Sequence, residues 1–224
     1  MYVTIDSLGF RRGRAMSALV CLVGLSACAS LSQKEKGAMI GAAAGGVAGG
    51  VIGNQTGSTT RGAIIGAVVG GTAGAIIGHQ MDQQAKELQQ NIPGATVARV
   101  GEGIAVTFAS GLLYDFDSDV VKTDAAHNLG SLAASLEKYP NTDLLIVGHT
   151  DAVGTSDYNQ TLSQRRATAA ANYLASHGVS SARLQALGRG ETEPLATNDT
   201  EAGRQLNRRV EIAIVANASA RKSE

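Results

Sequence analysis

The spacing of apolar positions divides the chain into four stretches. Residues 15–27 are a short, mostly apolar run, and residues 37–78 carry glycine at every fourth position in two blocks. Residues 79–96 are mainly polar and contain an Asn-Ile-Pro-Gly turn signal near their end. We therefore predict an export segment at 1–27, a glycine-rich helical hairpin at 37–78, a polar linker at 79–96 and a domain at 97–216.

From residue 97 onward, strand-like and helix-like spacing alternate. Strands are predicted at 104–108, 143–147, 184–187 and 210–215, and helices at 123–139 and 157–177. The second strand shows little alternation, which indicates burial on both faces. The order β-α-β-α-β-β over about 120 residues predicts one α+β domain with a single core, followed by a short tail at 217–224.

Two blocks of 17 residues, 37–53 and 62–78, each hold five glycines spaced four positions apart. On a helix these glycines form a ridge without side chains, along which a second helix can approach to backbone contact. Each mid-helix glycine costs roughly 1 kcal/mol relative to alanine in water, so five per helix favour tight packing or a membrane. We predict a membrane-associated helical hairpin, which also offers a glycine face for forming homo-oligomers.

The alternative for the glycine blocks is a flexible Gly/Ala tether between the N-terminus and the domain. A phosphate-binding loop is disfavoured, because neither block contains the Gly-Lys-Ser/Thr sequence that such a loop needs. The polar segment 79–96 is most simply a spacer that holds the domain away from the membrane.

The N-terminal residues have the features of a bacterial export signal. Three arginines between residues 11 and 14 precede the apolar run, which at 13 residues is too short to span a bilayer. The run ends in Leu-Ser-Ala-Cys, which resembles the lipobox of bacterial lipoproteins. This resemblance implies that Cys28 is acylated (for example with palmitate) and begins a short linker, 28–36. Because Ala29 follows, it also implies sorting to the outer membrane. An ordinary signal peptide is the alternative.

Residue types narrow the chemistry further. The formal net charge is +0, so the chain as a whole gives no support for a nucleic-acid partner. Of the two cysteines, Cys21 would leave with the signal and Cys28 would be acylated, so no thiol would remain as a nucleophile. Gly-x-Ser-x-Gly is absent, and the four histidines lack metal-ligand spacing. We expect no catalytic residues, no cofactor and no metal site.

Candidate binding residues follow the second predicted strand. His149 and Asp151 alternate to one face there, although a lone histidine in such a place is more often structural than catalytic. Asn159 and Arg166 share a face of the next helix, and Gly154 lets the connecting loop turn. Asp151 and Arg166 can either bind each other or hold a zwitterion, with the carboxylate taking an ammonium and the guanidinium a carboxylate. Spacing alone leaves both arrangements open, together with a solvated position for Arg166.

Three more arginines, Arg204, Arg208 and Arg209, precede the last predicted strand. A basic cluster of this kind can bind nucleic acid, but it lacks the interleaved aromatic residues that stack on bases. A small anionic ligand suits it better.

Five segments occur together in the order and spacing of a known family: GHTDAVG, YNQTLSQRRA, YLASHGV, ARLQALGRGE and GRQLNRRVEI. Upstream, LLYDFDSD is similar to the opening strand and loop of the same family. Over about residues 98–216 the chain therefore resembles the OmpA-like peptidoglycan-binding domain. With the lipobox and the glycine blocks, the whole chain is similar to glycine-zipper, OmpA-family outer-membrane lipoproteins.

The resemblance implies noncovalent binding of the peptidoglycan stem peptide through the free end of its meso-diaminopimelate, which is a zwitterion. By position, Asp151 would bind the ligand's ammonium and Arg166 its carboxylate. The other pocket residues that it implies are Asn159, Gly154, Asp117, Ser118 and, as a further anion contact, Arg208. The Asp-Val-Val run at 119–121 stands where many relatives have a small or polar residue.

The expected protein is a lipid-anchored component of the outer membrane whose periplasmic domain tethers that membrane to peptidoglycan without catalysis. One alternative is a wall-docking subunit of a larger envelope assembly. Another is a peptidoglycan hydrolase, for which the sequence offers neither a nucleophile nor a set of metal ligands.

Overall fold

The computed structural model describes residues 58–69 and 75–222. The predicted export segment, the cysteine predicted to be acylated, the first glycine block and the residues that follow it up to 57 lie outside the described residues. The second glycine block is described only for residues 62–69 and 75–78.

The structure describes five strands, seven helices and a 3-10 turn at Ser181–Arg183. The strands are β1 (Ala95–Val100), β2 (Gly103–Ala109), β3 (Thr142–Gly148), β4 (Leu184–Gly188) and β5 (Arg209–Ala216). The helices are α1 (Thr59–Val69), α2 (Ala75–Asn91), α3 (Ser110–Leu113), α4 (Thr123–Lys138), α5 (Ser156–Ser176), α6 (Glu201–Asn207) and α7 (Ala218–Lys222).

The strands form one mixed sheet in the order β1-β2-β5-β3-β4. β1, β2, β5 and β3 pair antiparallel in turn, whereas β3 and β4 are parallel. The last strand of the chain, β5, therefore lies at the centre of the sheet. Its alternate residues Val210, Ile212 and Ile214 are fully buried in the core on the face covered by α2, α4 and α5.

The predicted α+β class and the order of its main elements are confirmed. All four predicted strands and both predicted helices are present, within a few residues of their expected ends. β1 was not predicted, because it is an edge strand in which Val97 is the only buried residue. Its neighbours Thr96 and Ala98 are exposed, so the segment lacks a strong apolar pattern.

The prediction that residues 79–96 form a polar linker outside the domain is wrong. Residues 79–91 continue α2, and Met81, Ala85 and Leu88 lie on one stripe of that helix, each no more than 3% exposed. Together with Ile92 they belong to the hydrophobic core. Three apolar residues at helical spacing suffice to dock residues 79–91, whose other positions are polar, and so the domain begins before residue 95.

Helix α1 covers part of the second face of the sheet. The side chain of Ile64 is fully buried, and a Cβ added to Gly103 of β2 would lie 2.6 Å from its Cγ2 atom. At the helix N-terminus, Glu193 accepts hydrogen bonds from the Thr59 amide at 2.9 Å and from its hydroxyl at 2.5 Å. A carboxylate at this end of a helix is favoured by the helix dipole.

The described part of the second glycine block therefore packs on the domain. Among residues 58–69 and 75–222, no helix combines the length and the hydropathy needed to cross a membrane. The predicted pairing of one helix per glycine block stays a prediction, because the first block lies outside the described residues.

Helix α5 lies in backbone contact with the sheet at the ends of β3 and β4. Gly148 and Gly188 are register partners there. A Cβ on Gly148 would lie 2.2 Å from the carbonyl oxygen of Ser163, and one on Gly188 would lie 2.5 Å from the amide nitrogen of Gln164. The Gln164 side chain completes the contact by accepting the Gly188 amide hydrogen at 2.7 Å. Glycine is thus required at both strand ends for the helix to come this close.

Gly148→Ala should destabilise the domain by about 2 kcal/mol or more, because the added methyl group meets backbone that cannot rotate away. Equilibrium urea unfolding followed by circular dichroism measures the change. Gly130→Ala in α4 is the matched control, since an added Cβ there meets no atom within 4 Å. It should be neutral or stabilising by up to about 1 kcal/mol. Equal effects of the two substitutions would contradict the close approach.

Leu88→Ala should also destabilise the domain, by about 2–4 kcal/mol, because it opens a cavity between α2 and the core. Gln90→Ala on the exposed side of the same helix should change the unfolding free energy by less than about 0.5 kcal/mol. If α2 were only a spacer, both variants would unfold like the wild type in the same urea titration.

Candidate binding site

The candidate site lies where β3 and β4 end. Four segments meet there: the loop from β3 to α5, the first half of α5, the loop after α3, and the segment from β4 to β5. Gly154 has φ +100° in the first loop, a conformation that L side chains rarely adopt. Thr155 then caps α5 by accepting a hydrogen bond from the Tyr158 amide at 3.3 Å. This turn brings Asp151 and the first half of α5 to the same end of the sheet.

Arg166 is held by backbone oxygens of the loop after α3. Its Nε donates to the Ser118 carbonyl at 2.8 Å, and its Nη2 donates to the Asp115 carbonyl at 3.4 Å. The guanidinium carbon lies 5.5 Å from the centre of the Tyr114 ring, and the Tyr114 hydroxyl donates to the Arg166 carbonyl at 2.7 Å. The side chain is therefore held in a fixed orientation by neutral groups.

Arg166 carries its charge without a paired carboxylate among the described residues. The residue is only 5% exposed, and burial lowers the pKa of its guanidinium from the usual range while the charges of Asp117 and Asp119 oppose that shift. A buried cation whose partners are neutral carbonyls has unused capacity for an anion.

The loop after α3 supplies the rest of this wall. Asp117 has φ 56°, and its side chain is exposed. Ser118 contributes its carbonyl to Arg166, while its hydroxyl accepts from the Val120 amide at 3.1 Å. Asp119, where the sequence departs from the family pattern, lies 3.7 Å from Nε of Arg165. Ser118, one of the predicted site residues, thus contacts Arg166 through its backbone carbonyl.

Asp151 pairs with Arg208 and not with Arg166. Its Oδ2 lies 2.5 Å from Nη1 of Arg208, and its Oδ1 accepts from the Val153 amide at 3.1 Å. The Asp151 side chain is 10% exposed. Of the two arrangements left open by the spacing, direct pairing between Asp151 and Arg166 is absent in this structure.

Asn159 is buried behind Gly154 and donates to the Glu191 carboxylate at 2.6 Å. A Cβ on Gly154 would lie 3.8 Å from the Asn159 side-chain oxygen. Glu191 was not predicted as a site residue, although it belongs to the GRGE segment. In the sequence, only its place in that segment indicates a role at the site. The hydrogen bond that brings it there joins Asn159 and Glu191, which are 32 positions apart in the chain.

The three C-terminal arginines do not form one basic patch. Arg204 binds Glu201 and the Asn198 carbonyl, and Arg208 binds Asp151 and Glu201. Arg209 is fully buried and lies 2.6 Å from Glu211 on the second face of the sheet. The charge of Arg209 lowers the pKa of Glu211 against the opposing effect of burial. The predicted anion contact of Arg208 is therefore occupied by carboxylates of the chain itself.

The ring of His149 forms no hydrogen bond with the proposed binding residues that the structure describes. The residue is 1% exposed, and its backbone amide donates to the Arg209 carbonyl at 2.9 Å. Burial first, and then the charge of Arg209, lower the pKa of its ring to about 3. A ring that stays neutral at physiological pH and shares no hydrogen bond with Asp151 has a structural role here.

No group of three or more His, Cys, Asp or Glu side chains is placed to hold a metal ion in the part of the chain that the structure describes. The polar groups that converge at the site are instead one unpaired guanidinium, one carboxylate in an ion pair, and backbone carbonyls. This set can bind a small charged ligand.

Comparisons with known proteins point to the same domain. The model of the OmpA family matches residues 113–208, and that of the YMGG-like Gly-zipper family matches residues 11–82. Outer membrane porin F of Pseudomonas fluorescens is 46% identical over 105 residues, which are 47% of this chain and 32% of the porin. The chain thus spans about a third of that relative's length, and the match is confined to one domain.

Two further proteins match over most of their own length. The peptidoglycan-associated lipoprotein of Brucella melitensis is 34% identical over 116 residues, which are 52% of this chain and 69% of the lipoprotein. The solved structure of the cell wall anchor of the T6SS from Pseudomonas aeruginosa is 32% identical, with a TM-score of 0.51. The superposition covers 63% of this chain and 97% of the anchor. On its sequence, its mixed sheet and these matches, the chain belongs to the OmpA family.

Proposed function

We propose that this protein is an outer-membrane lipoprotein that binds peptidoglycan noncovalently and tethers the outer membrane to the cell wall. The ligand is the free end of meso-diaminopimelate in the stem peptide, where an ammonium and a carboxylate share one carbon atom. The name of the Brucella relative supports the choice of peptidoglycan, and the charges of the site support the choice of a zwitterion.

The buried, unpaired charge of Arg166 is the observation that carries the proposal. The residue is 5% exposed, and its guanidinium donates to carbonyl oxygens without a carboxylate of the described residues in direct contact. A ligand carboxylate would supply the compensating negative charge, and hydrogen bonds to charged groups contribute about 1.5–3 kcal/mol each. The fixed orientation of Arg166 lowers the entropy lost on binding, because the side chain is already ordered.

Asp151 supplies the second half of the recognition. Its carboxylate is largely buried and carries one backbone hydrogen bond from Val153. The ligand's ammonium takes the place that Arg208 fills in the structure. Asn159 and Glu191 hold the wall of the pocket behind Gly154, and the loop at 115–119 holds the opposite wall.

The two predicted anchors place this domain at the membrane. Acylation of Cys28 attaches the N-terminus to the outer membrane. The first glycine block adds a membrane-associated or self-associating segment, and the described part of the second block joins that segment to the domain on which it packs. The domain then reaches peptidoglycan from the periplasmic side without catalysing any reaction.

A second candidate function is docking of a larger envelope assembly to the wall. The similarity to the cell wall anchor of the T6SS favours it, since that protein is the wall anchor of such an assembly. Copurification of stable partners with the full-length protein would distinguish this function from a simple tether.

Arg166→Gln and Asp151→Ala should each weaken binding to purified sacculi by about 10- to 100-fold, because each removes one charged partner of the zwitterion. Cosedimentation of the detergent-solubilised full-length protein with sacculi measures the loss. Arg165→Gln is the matched control: the residue adjoins Arg166, carries the same charge and is exposed. Thermal unfolding of each variant verifies that the fold is intact.

Retention of both site variants on sacculi at the wild-type level would contradict the proposed site. The supernatants of the same incubations provide a test for catalysis. We expect no new soluble muropeptides, and their release by the wild type would contradict a tethering function in favour of a hydrolase.

His149 should affect stability and not binding. The ring has a pKa near 6.5 in unfolded chains and about 3 in the fold, so the folded state resists protonation. Its contribution to stability is complete above pH 6.5 and decreases as the pH falls toward 3, by up to about 1.4 kcal/mol per pH unit. Between pH 6 and pH 5, urea unfolding should show a smaller loss of stability for His149→Gln than for the wild type. Sacculus binding at pH 7 should be unchanged, and equal pH slopes in the two proteins would contradict this assignment.

A further inference from the structure

The carboxylate proposed to bind the ligand's ammonium is already bound to a cation of the chain. Nη1 of Arg208 lies 2.5 Å from Oδ2 of Asp151, while the Val153 amide occupies Oδ1. Because the Asp151 side chain is 10% exposed, little of the carboxylate remains open to solvent. An ammonium and the Arg208 guanidinium at this one oxygen would repel each other, so the two cations compete for Asp151.

Arg208 also has a second acceptor outside the site. Its Nη2 lies 2.5 Å from Oε1 of Glu201, whose side chain is 56% exposed. The backbone at Arg208 is fixed independently, since its amide donates to the Arg204 carbonyl at 2.9 Å at the end of α6. The guanidinium can therefore leave Asp151 by side-chain rotation alone and keep an ion pair with Glu201.

We propose that Arg208 is an internal competitor for the ammonium position: its guanidinium occupies Asp151 while the site is empty and is displaced by the ligand's ammonium. The inference rests on the proposed function and concerns the same site. Exchanging one cation for another at Asp151 yields less net binding energy than binding to a free carboxylate would. The larger part of the net affinity then comes from the ligand carboxylate at Arg166, which has no paired carboxylate in the described residues.

Two kinds of stem peptide undergo this exchange with different net gains in binding energy. A lysine side chain offers an ammonium without a neighbouring carboxylate, so it must displace Arg208 with no gain at Arg166. The free end of meso-diaminopimelate offers both groups, and its carboxylate adds the contact that makes displacement favourable. Arg208 thereby lowers the affinity for both kinds of peptide by the same factor, and only the peptide whose carboxylate reaches Arg166 keeps a clearly favourable net binding energy.

Arg208 could instead contact the ligand's carboxylate directly. In that case, removing the charge of Arg208 would have the opposite effect on the affinity for the ligand. Arg208→Leu leaves Asp151 with only the Val153 amide as a partner, so the carboxylate is free to bind an ammonium. A direct contact would be lost in the same variant, and binding of the diaminopimelate ligand would weaken.

The test measures, by calorimetry, binding of two muropeptides to the full-length protein in detergent. The two probes are identical except that one stem peptide ends in meso-diaminopimelate and the other in lysine. Arg208→Leu should bind both probes about tenfold more tightly than the wild type, because the cost of displacing Arg208 is common to them, and the ratio of the two affinities should stay the same. Weaker binding of the diaminopimelate probe, or unchanged affinities for both probes, would overturn the proposal.

Arg204→Leu is the matched control, because Arg204 binds Glu201 at 2.8 Å but makes no contact with Asp151. Its affinities for both probes should equal those of the wild type. Arg208→Gln is the second variant should Arg208→Leu unfold, and it should shift the affinities in the same direction by a smaller factor.

The behaviour of the wild type distinguishes failure of the proposed function from failure of the role assigned to Arg208. Tight binding of the diaminopimelate probe that is lost in Arg166→Gln supports the proposed function, whatever Arg208→Leu does. If the wild type fails to bind that probe, the proposed function and the role of Arg208 are both overturned.

Discussion

The backbone contact between α5 and the ends of β3 and β4 is the constraint on which the site depends. Gly148 and Gly188 lie side by side in the parallel pair, and neither leaves room for a Cβ between the strand and Ser163 or Gln164. This contact sets the distance between α5 and the sheet. Three residues past Gly148, the chain reaches Asp151, and three residues past Ser163, the helix reaches Arg166. One close approach thus fixes the two charged groups relative to each other.

The distribution of ion pairs then decides what the site can bind. Around Asp151, the charges of Arg208, Glu201 and Arg204 are matched by one another through direct contacts. Arg166 lies outside this network and is oriented by carbonyl oxygens. An anion is therefore attracted at one position, whereas a cation must exchange with a residue of the chain at the other. Under the proposed function, this difference favours a ligand that carries both charges.

The second face of the sheet connects the glycine-rich region to the same loops. Glu193 binds the first residue of α1, and Glu191, two residues earlier, binds Asn159 at the site. The segment after β4 is accordingly held at two neighbouring positions by residues from different parts of the chain. On the opposite face, α2 adds Met81, Ala85 and Leu88 to the core. The OmpA-family domain is thus covered on both faces by residues that the sequence assigned to the membrane hairpin and to a linker.

Periodicity, turn residues and motif spacing determined the class of the domain, the order of its main strands and helices, and the polar residues that meet at the end of the sheet. Strong patterns are readable because each strand or helix buries its apolar face locally, as in the buried residues Val210, Ile212 and Ile214 of β5. Only the tertiary structure decided that α2 joins the core, that β1 extends the sheet, and that Asp151 pairs with Arg208 and not with Arg166. These outcomes depend on contacts between residues distant in the chain, 57 positions apart for Asp151 and Arg208, and no local pattern encodes which opposite charge a buried carboxylate will meet.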